Sequence, residues 1–150
     1  MLQPRLARRV EREPLPTSPR WPHRRLLLVS ECVVAVAGLG GSVMLLDGRN
    51  APPLSAIAPL GLTSWAVPAV WLSATVPVPA TVAAVLIWRR SPRAPQAVVL
   101  AGATMALEVL VQIPFIGPHP FQAVFGGTAV GLSLLARHAR RAGWGSAAAN

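Results

Sequence analysis

Two carboxylates stand inside long apolar stretches of this 150-residue chain, Glu31 and Glu108. A charged side chain at mid-bilayer costs about 2.5–3.5 kcal/mol on insertion scales, so an acid placed there is neutral, paired or functional. Glu108 is the deeper of the two, well inside the third apolar run. Gln112 lies four residues on and Thr104 four residues back, so the three share one helical face and form a polar stripe on an otherwise apolar helix. Two chemistries fit such a stripe. One is an interhelical hydrogen-bond clamp, with Glu108 neutral or bonded to Ser73, Thr75 or a carbonyl freed by a proline in the second run. The other is a ligand or proton site. Glu31 is six residues from Arg25, near one membrane surface. It reads as an interfacial acid paired with Arg24, Arg25 or the arginines of another tail, with a functional role as the alternative.

Other chemistry is absent from the sequence. Cys32 is the single cysteine and cannot form an intrachain disulfide, which excludes a paired-thiol oxidoreductase. His23, His119 and His138 all lie near span ends, where facing histidines could not hold a haem within the membrane. No phosphate-binding glycine loop, His-Glu-x-x-His, Cys-x-x-Cys or nucleophile elbow occurs. Neither an enzyme nor a bound metal or cofactor is expected.

The elements that must carry these residues follow from composition. Hydrophobic residues make up 53% of the chain and charged ones 13%, against about 45–50% and about 25% in soluble domains. The apolar residues gather into runs near the length of roughly 20 that crosses a bilayer. Four spans are expected, over about 26–46, 65–88, 95–116 and 121–136. An uncleaved anchor is the reading of the first, because its apolar stretch is too long for a signal peptide and no clean Ala-x-Ala site follows. Between the first and second spans, Pro52, Pro53, Pro59 and Gly61 prevent a crossing helix over 51–63. Trp65 and Trp88 bracket the second span at headgroup depth. Pro77 and Pro79 lie inside it, where they lack an N–H and free the carbonyls of Ser73 and Thr75. A kink is therefore predicted. The fourth span is short, and its helix is expected to continue into Arg137, Arg140 and Arg141, whose side chains can snorkel.

All fourteen basic residues are arginine, and thirteen fall in segments that the four-span map puts on one side: seven in the N-terminal tail, three between spans two and three, three at the C-terminus. Arginine-rich short loops stay cytoplasmic, so both termini are placed in the cytoplasm. The net charge of +9 then sets topology and attracts anionic lipid, with no nucleic-acid partner implied. Residues 1–25 and 142–150 read as disordered tails flanking a helical domain over 26–141.

Small residues are read as packing positions: Gly38 and Gly41 in the first span, Gly102 in the third, and Gly127 with Gly131 in the fourth. The last pair has Gly-x-x-x-Gly spacing, for which a homodimer face is the alternative. From Gly38 to Arg141 the layout resembles an uncharacterised group of small four-span membrane proteins of actinobacteria. The resemblance rests on Leu45-Leu46-Asp47-Gly48, Val67-Pro68-Ala69, the run Val111 to Gly117, and Phe121-Gln122 leading to Gly131. The chain departs from it at Ser64-Trp65 and at Pro118-His119-Pro120. It implies a multi-pass protein of the bacterial inner membrane. The expected fold is all-α, a compact four-helix bundle with a proline-kinked second helix. The expected function is a non-enzymatic accessory module or a binder of lipid or small apolar ligands, partnered by membrane lipid and by its own copies or another membrane protein. The alternative is a small oligomeric proton-linked transporter or channel that uses Glu108.

Overall fold

The computed structural model describes residues 21–48 and 51–144. Five α-helices follow in order: α1 Arg24–Leu46, α2 Ala66–Thr75, α3 Pro77–Trp88, α4 Ala94–Ile116 and α5 Pro120–Arg141. No strand occurs among the described residues. Three segments are long and apolar enough to cross a membrane: α1, the α2–α3 segment and α4. Each has 23 residues, about 34 Å of helix at 1.5 Å per residue, against a hydrocarbon core of about 30 Å. The fourth helix, α5, exists over 22 residues, but its last turns carry Arg137, Arg140 and Arg141 and it falls short of that standard.

The helices run up and down. Arg24 at the start of α1 donates to the carbonyls of Ile87 and Trp88 at the end of α3, and Gly38 further along α1 lies against Val76 and Pro77 at the start of α3. Thr75 meets Glu108, and Gly102 meets Ala129 and Ser133, so α4 is antiparallel to the α2–α3 segment and α5 to α4. The interior is made of facing stripes in which small residues alternate with larger ones such as Leu27, Ile87 and Met105. On α1 these are Leu27, Glu31, Val34, Gly38 and Ser42; on α3, Ala80, Ala83, Ala84 and Ile87; on α5, Ala129, Leu132, Ala136 and Ala139. Small side chains let backbones approach closely, which is how helices gain packing where no water drives them together. Other large apolar side chains point outward, among them Val36, Val70, Leu110, Phe121 and Leu134. Exposed apolar area on that scale suits lipid and not water.

The second segment is interrupted where the prolines fall. Val76 has φ −116° and ψ −70°, ending α2 and starting α3. Helical hydrogen bonding resumes across it, from Val76 N–H to Leu72 O at 3.0 Å and from Ala80 N–H to Val76 O at 3.1 Å. Between α1 and α2 the chain forms two single 3₁₀ turns, Leu54–Ala56 and Ala58–Leu60, as the prolines there require. The indole of Trp65 ties this stretch down by donating to Pro52 O at 3.0 Å, and Ile57 is buried beneath it.

Both ends of the domain reach further than the expected limits of 26 and 141. Arg24 and Arg25 belong to α1, and Trp21 packs edge-on against Trp144 with ring centroids 5.1 Å apart. Trp144 is buried, and its indole N–H donates to Ser91 O at 3.2 Å. It is held by a helix-terminating pair of bonds, Trp144 N–H to Ala139 O and Gly143 N–H to Arg140 O, with Gly143 at φ 88°. That is a Schellman motif, in which a left-handed residue turns the chain back over its helix. The same motif ends α3, with Ser91 N–H on Leu86 O and Arg90 N–H on Ile87 O, but there the left-handed position is Arg90 at φ 53°. The remaining expected tail residues lie outside the described residues.

Candidate functional site

Glu108 is buried on α4 and both of its oxygens are engaged. Oε1 accepts from Gln112 Nε2 at 3.0 Å, one helical turn on, and Oε2 lies 3.0 Å from Thr75 Oγ1 on α2. The contact falls at the helix break, because Thr75 is the last residue of α2. Thr75 Oγ1 also stands 2.9 Å from Trp71 O and 3.3 Å from Leu72 O. A hydroxyl has one hydrogen, so it serves one acceptor at a time. If Glu108 is ionised, the threonine donates to it. If Glu108 is neutral, its own O–H donates to Thr75, whose hydrogen turns to the Trp71 carbonyl. In either form both oxygens of the acid are engaged.

Of the expected stripe, Gln112 and Thr75 are joined to Glu108 and Thr104 is not. The Thr104 hydroxyl donates back to Ala101 O of its own helix at 3.0 Å. Among the described residues Ser73 makes no side-chain hydrogen bond to Glu108, whose partners are Thr75 and Gln112. The threonine therefore spans the helices alone.

Glu31 does not pair with Arg24 or Arg25 as expected. Arg24 is turned to the α3 carbonyls, with Nε 3.2 Å from Ile87 O and an Nη 3.1 Å from Trp88 O, and Arg25 is exposed. Glu31 itself is 1% exposed, and neither carboxylate oxygen has a partner among the described residues. Its position relative to Arg24 sets its depth but not its facing. The facing follows from α1 packing on α3 along the stripe that contains Glu31.

Close packing is borne by two of the five expected glycines. A Cβ at Gly38 would lie 2.9 Å from Val76 Cγ1 and from Pro77 Cδ, so this glycine admits the broken second segment. A Cβ at Gly102 would collide with Ser133 Oγ and lie 2.9 Å from Ala129 O. Gly41 makes ordinary contact with Leu72, at 3.6 Å. Gly127 and Gly131 face open space with nothing within 4 Å, so their spacing serves no packing among the described residues.

Sequence reasoning missed the closure of the arginine-rich end. There His23 and His138 approach to 5.7 Å between centroids, beside the Trp21–Trp144 pair. The glycine before Trp144 was a readable sign of a helix-ending motif. At the opposite end Gln122 locks the turn into α5, accepting from His119 N–H at 2.9 Å and donating to Gly117 O at 3.1 Å. No cluster of three or more potential metal ligands occurs among the described residues. A shallow, open apolar hollow of about 380 Å³ lies on α2, lined by Ala66, Val67, Val70, Trp71 and Ala74. Comparison with protein-family models, curated proteins and solved structures gave no match.

Proposed function

We propose that this chain is a four-span protein of a bacterial inner membrane, with both ends in the cytoplasm, acting as a non-enzymatic accessory module that meets lipid and partner helices through its outer faces. One observation carries the reading: both oxygens of Glu108 are engaged by groups of the same chain, Thr75 and Gln112. An acid with each oxygen held by a group of its own chain fastens helices. The bond falls where the second segment is interrupted, so it ties that segment to α4.

The fourth span is supported by the packing of α5 alongside α4 through Gly102, Ala129 and Ser133. Orientation is supported by the gathering of Arg24, Arg25, Arg89, Arg90, Arg93, Arg137, Arg140 and Arg141 at one end of the bundle.

The test is Glu108→Gln in the full chain, reconstituted in vesicles with an internal pH dye. The amide can accept from Gln112 and donate to Thr75, so the variant keeps its melting temperature and shows the same proton leak as the parent. A proton flux present in the parent and lost in the variant overturns the reading in favour of a proton-linked carrier. Reporters fused after Gly48 and after Arg93 should report opposite sides of the membrane.

A further inference from the structure

Glu31 is the least explained group in the molecule. Its carboxyl is 1% exposed and has no hydrogen-bond partner on either oxygen among the described residues. The contacts that bracket it, Arg24 with Ile87 on one side and Gly38 with Pro77 on the other, put it at the level of Ala80 to Ala84 on α3. At 1.5 Å per residue it lies about 10 Å inward of Arg24 and on the order of 12 Å from the level of Glu108.

Among the described residues no charge is placed to balance it. From α3 the facing residues are Ala80, Ala83, Ala84 and Ile87, and α2 has no titratable residue. On α5, His138, Arg137, Arg140 and Arg141 lie in the closing turns, with Leu132, Ala136 and Ala139 forming the buried stripe. On α1 itself Arg24 is committed to carbonyls, while His23, Arg25 and Cys32 are exposed. Arg89, Arg90 and Arg93 sit beyond the ends of α3 and α4. On α4, Glu108 is bonded elsewhere.

We infer that Glu31 is an interior proton-binding site, nearer the arginine-rich end than Glu108 and distinct from it. Size selects the ligand. The carboxyl is closed over by the α1–α3 seam, so a metal ion or organic cation could not sit beside it without parting the helices. A proton needs no room. Burying an unpaired neutral polar group costs about 1–3 kcal/mol on mutational scales, whereas an isolated buried charge costs far more. Binding a proton therefore closes the seam, and losing it favours separation of α1 from α3. The assignment does not depend on the role of Glu108, where both forms of the acid are bonded.

The experiment is infrared spectroscopy of the full chain in lipid bilayers. A carboxylic acid with a free carbonyl absorbs at the high-frequency end of the acid C=O region, apart from hydrogen-bonded acids and from carboxylates. The expected result is such a band at neutral pH, lost completely in Glu31→Gln and retained in Glu108→Gln. Raising the pH bleaches it and lowers the melting temperature, and Glu31→Leu removes both responses. If Glu31→Gln does not fold, retention of the band in Glu108→Gln and its loss in Glu31→Leu make the assignment. Absence of the band from the parent, its survival in Glu31→Gln or Glu31→Leu, or its loss in Glu108→Gln overturns the inference.

Discussion

Two glycine-to-alanine changes on the α4–α5 pair should move stability in opposite directions, and the structure says by how much. At Gly102 the added methyl carbon would meet the Ser133 hydroxyl and lie 2.9 Å from the carbonyl oxygen of Ala129. The hydroxyl can rotate away but the carbonyl belongs to the backbone of α5, so relief requires the helices to part. Overpacking of this kind costs about 1–3 kcal/mol. At Gly131 nothing lies within 4 Å, so alanine meets only lipid or detergent and gains helix propensity, up to about 1 kcal/mol. The double variant Gly102→Ala with Ser133→Ala separates the two contacts: it should recover part of the loss and leave the share due to Ala129 O. Reversible unfolding of the purified full chain in mild detergent measures all of these. A neutral Gly102→Ala would refute the packing of α5 on α4 described above. A destabilising Gly131→Ala would show instead that the Gly127–Gly131 face is covered, as a homodimer through that face requires, and cross-linking at that position would confirm it.

Further outcomes follow from other contacts. In a double-mutant cycle, Thr75→Val and Glu108→Leu should couple by about 0.6–1.7 kcal/mol, the range for hydrogen bonds between membrane helices, and independent effects would deny the clamp. Arg90→Gly should stabilise the chain by about 1 kcal/mol, since a non-glycine residue in the left-handed region costs roughly 1–2 kcal/mol and glycine offsets part of that in backbone entropy; a thermal shift assay reads it. Trp144→Ala should cost about 3–5 kcal/mol as a large buried ring is lost, while Trp144→Phe should cost only about 1 kcal/mol through the unpaired Ser91 carbonyl. An alanine variant melting like the parent would mean that the C-terminal turn does not close the bundle.

Run lengths and helix breakers were legible because they depend on local chemistry. The prolines over 51–63 exclude a crossing helix, and the interruption at Val76 falls immediately before Pro77. The Glu108–Gln112 pair was readable from four-residue spacing alone, and Thr75 was among its named partners. Facing was not legible. An amphipathic stripe shows itself when one side is polar, but on α1, α3 and α4 large apolar residues lie on both the buried and the exposed sides, so polarity does not divide inside from outside. Glu31 is interior because α3 covers its stripe, which the distance to Arg25 does not reveal. Gly127 and Gly131 have the spacing of a packing motif and no neighbour to pack against. Trp144 was assigned to a tail from the composition around it, although Gly143 before it marked a chain reversal.

The aromatic closure has a consequence for biogenesis. Trp21 precedes the first helix and Trp144 follows the last, yet the two rings touch. A chain emerging from the ribosome inserts α1 through α4 with that junction open, because its second half is still in the exit tunnel. Assembly can finish only once Trp144 has been made and has left the ribosome, so premature termination anywhere before it leaves a nascent product that cannot latch, a ready substrate for membrane proteolysis.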